Sequence, residues 1–171
     1  MQNYGLLTVR SGSTRLPNKC WLELSGIPVI QYVVNRCRES DIEPIICTTT
    51  NQSDDKFENF FFLDCSFPAI VKLSKLGEKR IALRFSEYEN LSNVIDNKDK
   101  ATWVWVDCFS YFPLTKKIEE VLHAHNIKIC IVSPELQGQP EKIEVYKNYI
   151  KENNILVDAI CTKSYNIKLW N

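Results

Sequence analysis

The sequence predicts an α/β fold: a mostly parallel sheet of about six to seven strands with flanking helices. Short apolar runs recur along the chain, apolar positions at helical spacing lie between several of them, and most runs are near-continuous rather than alternating. Continuous apolar runs are the pattern of strands buried on both faces, and strand–helix alternation is the pattern of parallel sheets.

Taken in order, the strand candidates are 6–10, 44–49, 60–64, 80–84, 102–107, 127–132 and 157–161. After Gly26, residues Ile27, Ile30, Val33, Val34 and Cys37 recur at helical spacing. Leu114, Ile118, Val121 and Leu122 do so after Pro113. Ile143, Tyr146, Tyr149 and Ile150 follow Pro140, a residue suited to a first helical turn. Seven strand units are too few for a closed eight-stranded barrel. The join between Thr50 and Phe60 is shorter than the dozen or so residues of a helical βαβ crossover. It predicts that the second and third strands are not ordinary parallel neighbours, and it sets a boundary near 51–59. The expected segments are 1–55 and 56–171, separate or merged in one core.

The chain has 171 residues, enough for one domain of ordinary size, and is 44% hydrophobic. Lys plus Arg and Asp plus Glu number 21 each, so charge gives no argument for nucleic acid or an anionic membrane. No run approaches the roughly 20 apolar residues of a membrane span, and the N-terminus lacks a charged-then-apolar leader pattern. Seven cysteines without a CxxC pair read as reduced thiols, so a cytoplasmic location is expected.

The chemistry concentrates in two places. The first is the loop after the opening strand, Arg10-Ser11-Gly12-Ser13-Thr14-Arg15-Leu16-Pro17-Asn18-Lys19. Small residues let backbone N–H groups approach an anion, and Arg10, Arg15 and Lys19 supply charged donors, which suits a polyphosphate. A basic surface loop fits the same residues. The second is the set of polar residues that follow the later strands. Asp107 is the best carboxylate candidate, since a buried strand rarely ends in Asp without a partner or ligand. Glu87 and Glu89 offer paired carboxylates or a solvated strand exit. Trp103 and Trp105 read as sheet-face packing, and His123 and His125 as cations near a helix C-terminus.

The first 55 residues resemble the cytidylyltransferases that make CMP-activated acidic sugars, the CMP-sialic acid synthetase and spore-coat polysaccharide types. The resemblance rests on the Arg10–Lys19 loop, on Gly26-Ile27-Pro28-Val29-Ile30-Gln31-Tyr32-Val33-Val34 and on Thr48-Thr49-Thr50-Asn51-Gln52-Ser53-Asp54-Asp55, in that order. It implies a Rossmann-like head in which Arg10, Gly12, Ser13, Arg15 and Lys19 contact the phosphates of CTP. Mg2+ accompanies the nucleotide, and an acidic sugar or phosphorylated small molecule is the partner, in surface-polysaccharide synthesis. Residues 60–171 resemble the second half of a glycerophosphodiester phosphodiesterase-type TIM barrel. That likeness rests on Phe61-Phe62-Leu63-Asp64, Ala82-Leu83-Arg84-Phe85-Ser86-Glu87, Trp103-Val104-Trp105-Val106-Asp107, Ile131-Val132-Ser133-Pro134-Glu135 and Ala159-Ile160-Cys161-Thr162-Lys163. It implies a partial βα-barrel whose active face carries Asp107, Glu87 and Glu135 as catalytic groups, with Arg84 and Ser133 beside them. No residue is singled out as a metal ligand. The cytidylyltransferase pattern is not continued after Asp55, so the chain reads as the head of one enzyme class joined to the tail of another. The alternatives are a phosphodiester hydrolase-like half-barrel and a non-catalytic remnant or binding module. Open sheet edges predict a homo-oligomer.

Overall fold

The computed structural model describes residues 5–9, 19–39, 45–49 and 60–170. The chain divides into two compact units, Met1–Cys65 and Ser66–Asn171. The sequence boundary at 55/56 lies outside the described residues.

The first unit holds β1 (Gly5–Val9), β2 (Glu23–Leu24), β3 (Ile27–Pro28), α1 (Val29–Glu39), β4 (Ile45–Thr49) and β5 (Phe60–Phe62). Strands β1, β4 and β5 form a parallel sheet in that order. Gly5 lies opposite Ile45 and Val9 opposite Thr49, while Cys47 lies opposite Phe60. The expectation for the short join is therefore corrected: β4 and β5 are parallel neighbours. The length rule assumes a helical crossover. An extended chain covers about 3.3 Å per residue, so the residues between Thr49 and Phe60 can span a short strand's length without a helix.

Strands β2 and β3 form an antiparallel hairpin closed by Ser25 and Gly26, at φ 54° and 78°. Two positive φ values in sequence are the signature of a type I′ turn, whose twist matches the flanking strands. The sequence reading took Gly26 only as a helix start. Because Ile27 and Pro28 belong to the hairpin, α1 begins at Val29 and buries Ile30 and Val34.

The second unit holds α2 (Phe67–Lys75), β6 (Ala82–Phe85), α3 (Leu91–Ile95), β7 (Trp103–Val106), α4 (Lys116–Ala124), β8 (Lys128–Val132), α5 (Ile143–Glu152), β9 (Ala159–Cys161) and α6 (Ile167–Trp170). Its sheet is parallel throughout, in the order β6-β7-β8-β9. The parallel α/β class thus holds, but the single sheet of six to seven strands is corrected to separate sheets of three and four. Apolar runs identify strands, whereas their assignment to one sheet depends on long-range pairing.

The four-stranded sheet has two chemically different faces. Leu83, Phe85, Val104, Val106, Ile129 and Ile131 alternate onto one face and are all buried. The helices supply matching apolar residues, including Val94 from α3, which contacts β6, and Leu122 from α4, which contacts β8. The other face carries Arg84, Trp103, Trp105 and Cys130 in register. Thr115 caps α4 by accepting the Ile118 N–H at 3.3 Å. Asp64, at φ 57°, ends β5 at Phe62, short of the expected 64.

Candidate functional site

In the first unit, the parallel pairing of β1 with β4 sets the carboxyl ends of both strands at one edge, Val9 beside Thr49. That edge is where open parallel sheets bind ligands. Of the phosphate-loop candidates, Arg10, Gly12, Ser13 and Arg15 lie outside the described residues. Lys19 is described: it is exposed and sits in the turn before the hairpin. The turn is tied to the start of α1, because Cys20 C=O accepts the Ile30 N–H at 3.0 Å and Leu22 C=O accepts the Val29 N–H at 2.9 Å.

In the second unit, polar residues leave the carboxyl ends of all four strands and close three hydrogen-bonded sets. Asp107 follows β7 and is 4% exposed. Its Oδ2 accepts from Arg84 Nη2 at 2.5 Å. Its Oδ1 accepts from Gln137 Nε2 at 2.7 Å and from Trp105 Nε1 at 3.3 Å. Burial pushes the Asp107 carboxyl above its ordinary range; the Arg84 and Trp105 donors offset this only in part, and the Glu89 charge adds to the rise. Gln137 in turn accepts the Cys108 N–H at 2.9 Å. Arg84 Nε also lies 3.8 Å from Glu89, whose other oxygen accepts from Ser86 Oγ at 2.9 Å.

Glu87 accepts the Phe109 N–H at 3.3 Å and the Ser110 N–H. Burial is the largest single influence and pushes its carboxyl up, but the hydrogen bonds from its own backbone, from Ser110 and from Phe109 together outweigh burial and hold it below its usual range. Glu135 accepts from Ser133 Oγ, from Thr162 Oγ1 at 2.5 Å and from the Lys163 N–H at 3.2 Å. Its carboxyl is likewise lowered, the hydrogen bonds outweighing burial. Ser133 is fully buried because Trp170 of α6 donates its indole N–H to Ser133 Oγ at 2.8 Å.

The structure thus places Asp107, Glu87 and Glu135 at one edge of the sheet, each engaged in its own set of donors. Chemically, the edge offers one guanidinium–carboxylate pair, in which Arg84 is a third exposed, and two carboxylates fixed by backbone N–H groups. Among the described residues no group of three or more His, Cys, Asp or Glu is arranged to hold a metal ion. Cys108 and Cys161 are poor nucleophiles: burial, aided by Asp107 beside Cys108 and Glu135 beside Cys161, pushes both thiols up to about 12. Sequence reasoning missed Gln137, Thr162 and Trp170. Thr162 directly follows β9 and Gln137 lies five residues past the end of β8, which is a signal; Trp170 had none.

The profile of the cytidylyltransferase family matches residues 5–97, more than half of the chain. The matched range runs through the 50–59 join and includes β6 and α3. A 3-deoxy-manno-octulosonate cytidylyltransferase from Bartonella bacilliformis is 42% identical over 48 residues, covering 28% of this chain and 20% of that protein. The chain therefore aligns with about a fifth of the length of that relative. No solved structure matches.

Proposed function

Because this chain belongs to the cytidylyltransferase family, we propose that its first unit binds CTP at the carboxyl end of β1 and serves CMP transfer to an acidic sugar in surface-polysaccharide synthesis. The family match across β1, α1 and β4 carries this reading, since residues 10–18 directly follow β1 at the edge where Val9 pairs with Thr49. Arg10, Arg15 and Lys19 neutralise the phosphates, and Gly12 and Ser13 let backbone N–H groups approach them. Mg2+ enters with the nucleotide as the counter-ion of the triphosphate. In the transfer, a sugar hydroxyl oxygen bonds to the α-phosphorus and gives up its proton to solvent, the α–β phosphoanhydride breaks, and pyrophosphate leaves with the bonding pair. The likeness to the Bartonella enzyme supports a 3-deoxy-octulosonate-like acid as acceptor. Among the described residues no helix is long and apolar enough to cross a membrane; separately, seven cysteines without a CxxC pair support a cytoplasmic place for the protein.

Calorimetric titration with Mg-CTP tests this reading. Binding is expected in the wild type, with at least a tenfold weaker Kd in Arg15→Ala, as loss of one charged phosphate contact implies (about 1.5–3 kcal/mol). No heat at millimolar nucleotide, or binding unchanged in Arg15→Ala, overturns it.

A second reading assigns the second unit a phosphodiester hydrolase-like role. It is supported by the consecutive order β6-β7-β8-β9. With right-handed crossovers, that order sets all helices on one face, as in a segment of a βα-barrel, without the reversal of a doubly wound sheet. The aliphatic face would then be the helix-facing layer, and the face bearing Arg84 and Trp105 the interior. Hydrolysis of an aryl phosphodiester, reduced at least a hundredfold in Asp107→Asn, is the expected result. Failure of both nucleotide binding and hydrolysis leaves a non-catalytic remnant or binding module as the reading that survives.

A further inference from the structure

The amino-terminal edge of the second sheet carries a cluster that neither functional reading uses. His123 lies in the last turn of α4. Its Nδ1 is 2.7 Å from Glu119 Oε1, and its Nε2 is 2.9 Å from Asp158 Oδ2. Glu119 is 2% exposed, and its second oxygen accepts from Lys116 Nζ. Asp158 immediately precedes β9. Its Oδ2 also accepts the Ile129 N–H at 2.7 Å, and its own N–H donates to Ile129 C=O at 2.9 Å. One imidazole therefore ties helix α4 to the start of β9. That strand is three residues long, half-buried, and pairs with β8 at the end of the sheet order.

A neutral imidazole has one N–H, so donation to both carboxylates requires the imidazolium. Deprotonation turns one ring lone pair toward a carboxylate lone pair and leaves buried Glu119 with Lys116 as its cationic partner. The charged groups facing His123 are Glu119 and Lys116 from α4 and Asp158 from the lead into β9. On β8, Lys128 is engaged elsewhere, with its Nζ 5.4 Å from the centre of the Trp103 ring.

We propose that His123 is a proton-operated clamp that fastens the terminal strand β9 to the sheet, closed when the imidazole is charged and loosened when it is neutral. The far end of β9 leads into Thr162 and Lys163, whose hydroxyl and N–H both bind Glu135. Loosening β9 withdraws these two donors, so a proton at the amino edge governs the order of the polar set at the carboxyl edge. The clamp is independent of nucleotide binding by the first unit.

The electrostatics agree in direction. Burial pushes the His123 pKa down, but the hydrogen bonds to Asp158 and Glu119 outweigh burial and raise it above its ordinary 6.5. Burial pushes Glu119 up, and its bonds with Lys116 and His123 outweigh that and lower it. For a base whose pKa is higher folded than unfolded, stabilisation is complete below the unfolded value, near 6.5, and is lost as pH rises through the folded value.

The test uses the full chain. NMR titration of the ring nitrogens from about pH 5 to 9 should show His123 titrating above 6.5, with a lower midpoint in Asp158→Asn. Hydrogen exchange at residues 159–161, corrected for its intrinsic pH dependence, should quicken several-fold relative to β7 across that titration. In His123→Gln the pH-linked step should vanish. Should Asp158→Asn fail to fold, Glu119→Gln and the wild-type titration still decide. A His123 midpoint at or below 6.5, exchange at 159–161 that tracks β7, or an undiminished step in His123→Gln overturns the proposal.

Discussion

Asp107 shows what a single residue contributes at the edge of a parallel sheet. Its carboxylate is almost buried yet accepts from a guanidinium, an amide and an indole. Removing a hydrogen-bond partner from a buried group costs about 1–3 kcal/mol. The Asp107→Asn variant used against the aryl phosphodiester should therefore lower the urea midpoint while leaving the chain folded, since Asn retains one acceptor and the side-chain volume. Circular dichroism that shows a folded variant makes any loss of hydrolysis a statement about chemistry; an unfolded one makes it a statement about the Arg84 partnership. Ser133 gives the complementary case. It follows β8 beside a carboxylate, a nucleophile's position, but the Trp170 indole and the Glu135 carboxylate occupy its hydroxyl and it has no exposure. Its arrangement is that of a packed hydrogen-bond relay between β8, β9 and α6.

At the scale of the element, α4 is capped by a side chain at its start and by a left-handed backbone turn at its end. Thr115 satisfies one of the backbone N–H groups that a helix start leaves open, and Pro113 and buried Leu114 fix the approach. Replacing Thr115 by Ala should cost about 1 kcal/mol, read as a lower urea midpoint with an unchanged slope. An unchanged midpoint shows that the 3.3 Å bond to Ile118 N–H does not contribute. At the other end, Asn126 takes φ 57°, a left-handed conformation that Asn tolerates, and its N–H donates to His123 C=O at 2.9 Å. The turn releases the chain into Ile127, which is buried, and so into β8. The apolar spacing marked this helix in the sequence; the cap and the turn set where it starts and stops.

At the scale of the whole molecule, the chain splits at Cys65/Ser66 while the family match continues to residue 97. The cytidylyltransferase pattern thus extends over α2, β6 and α3 of the second unit. Opposite the three-residue strands β5 and β9, the sheet orders begin with the longer strands β1 and β6, of five and four residues. Strand edges left open favour pairing with another copy. Light scattering on the purified chain should give a mass at or above twice the 19.9 kDa of one copy; a monodisperse monomer refutes this expectation.

The sequence by itself determined the α/β class, the parallel strands and the helices of strongest period. A continuous apolar run or a 3.6-residue stripe is a local property, and Ile143, Tyr146 and Ile150 are buried on α5 where the stripe placed them. It also determined that the region around β1 belongs with the cytidylyltransferases, because the loop, the helix start and the second strand's exit follow one another in order within the first 55 residues. Only the tertiary structure decided which strands share a sheet, since pairing joins residues far apart in sequence. It made β4 and β5 neighbours across a join that looked too short, and it split seven strands into three and four. It likewise decided the partners of the polar residues. His123 read in the sequence as one more cation at a helix end, and it became a bridge between two carboxylates only when folding brought Asp158, 35 residues away, to within 2.9 Å.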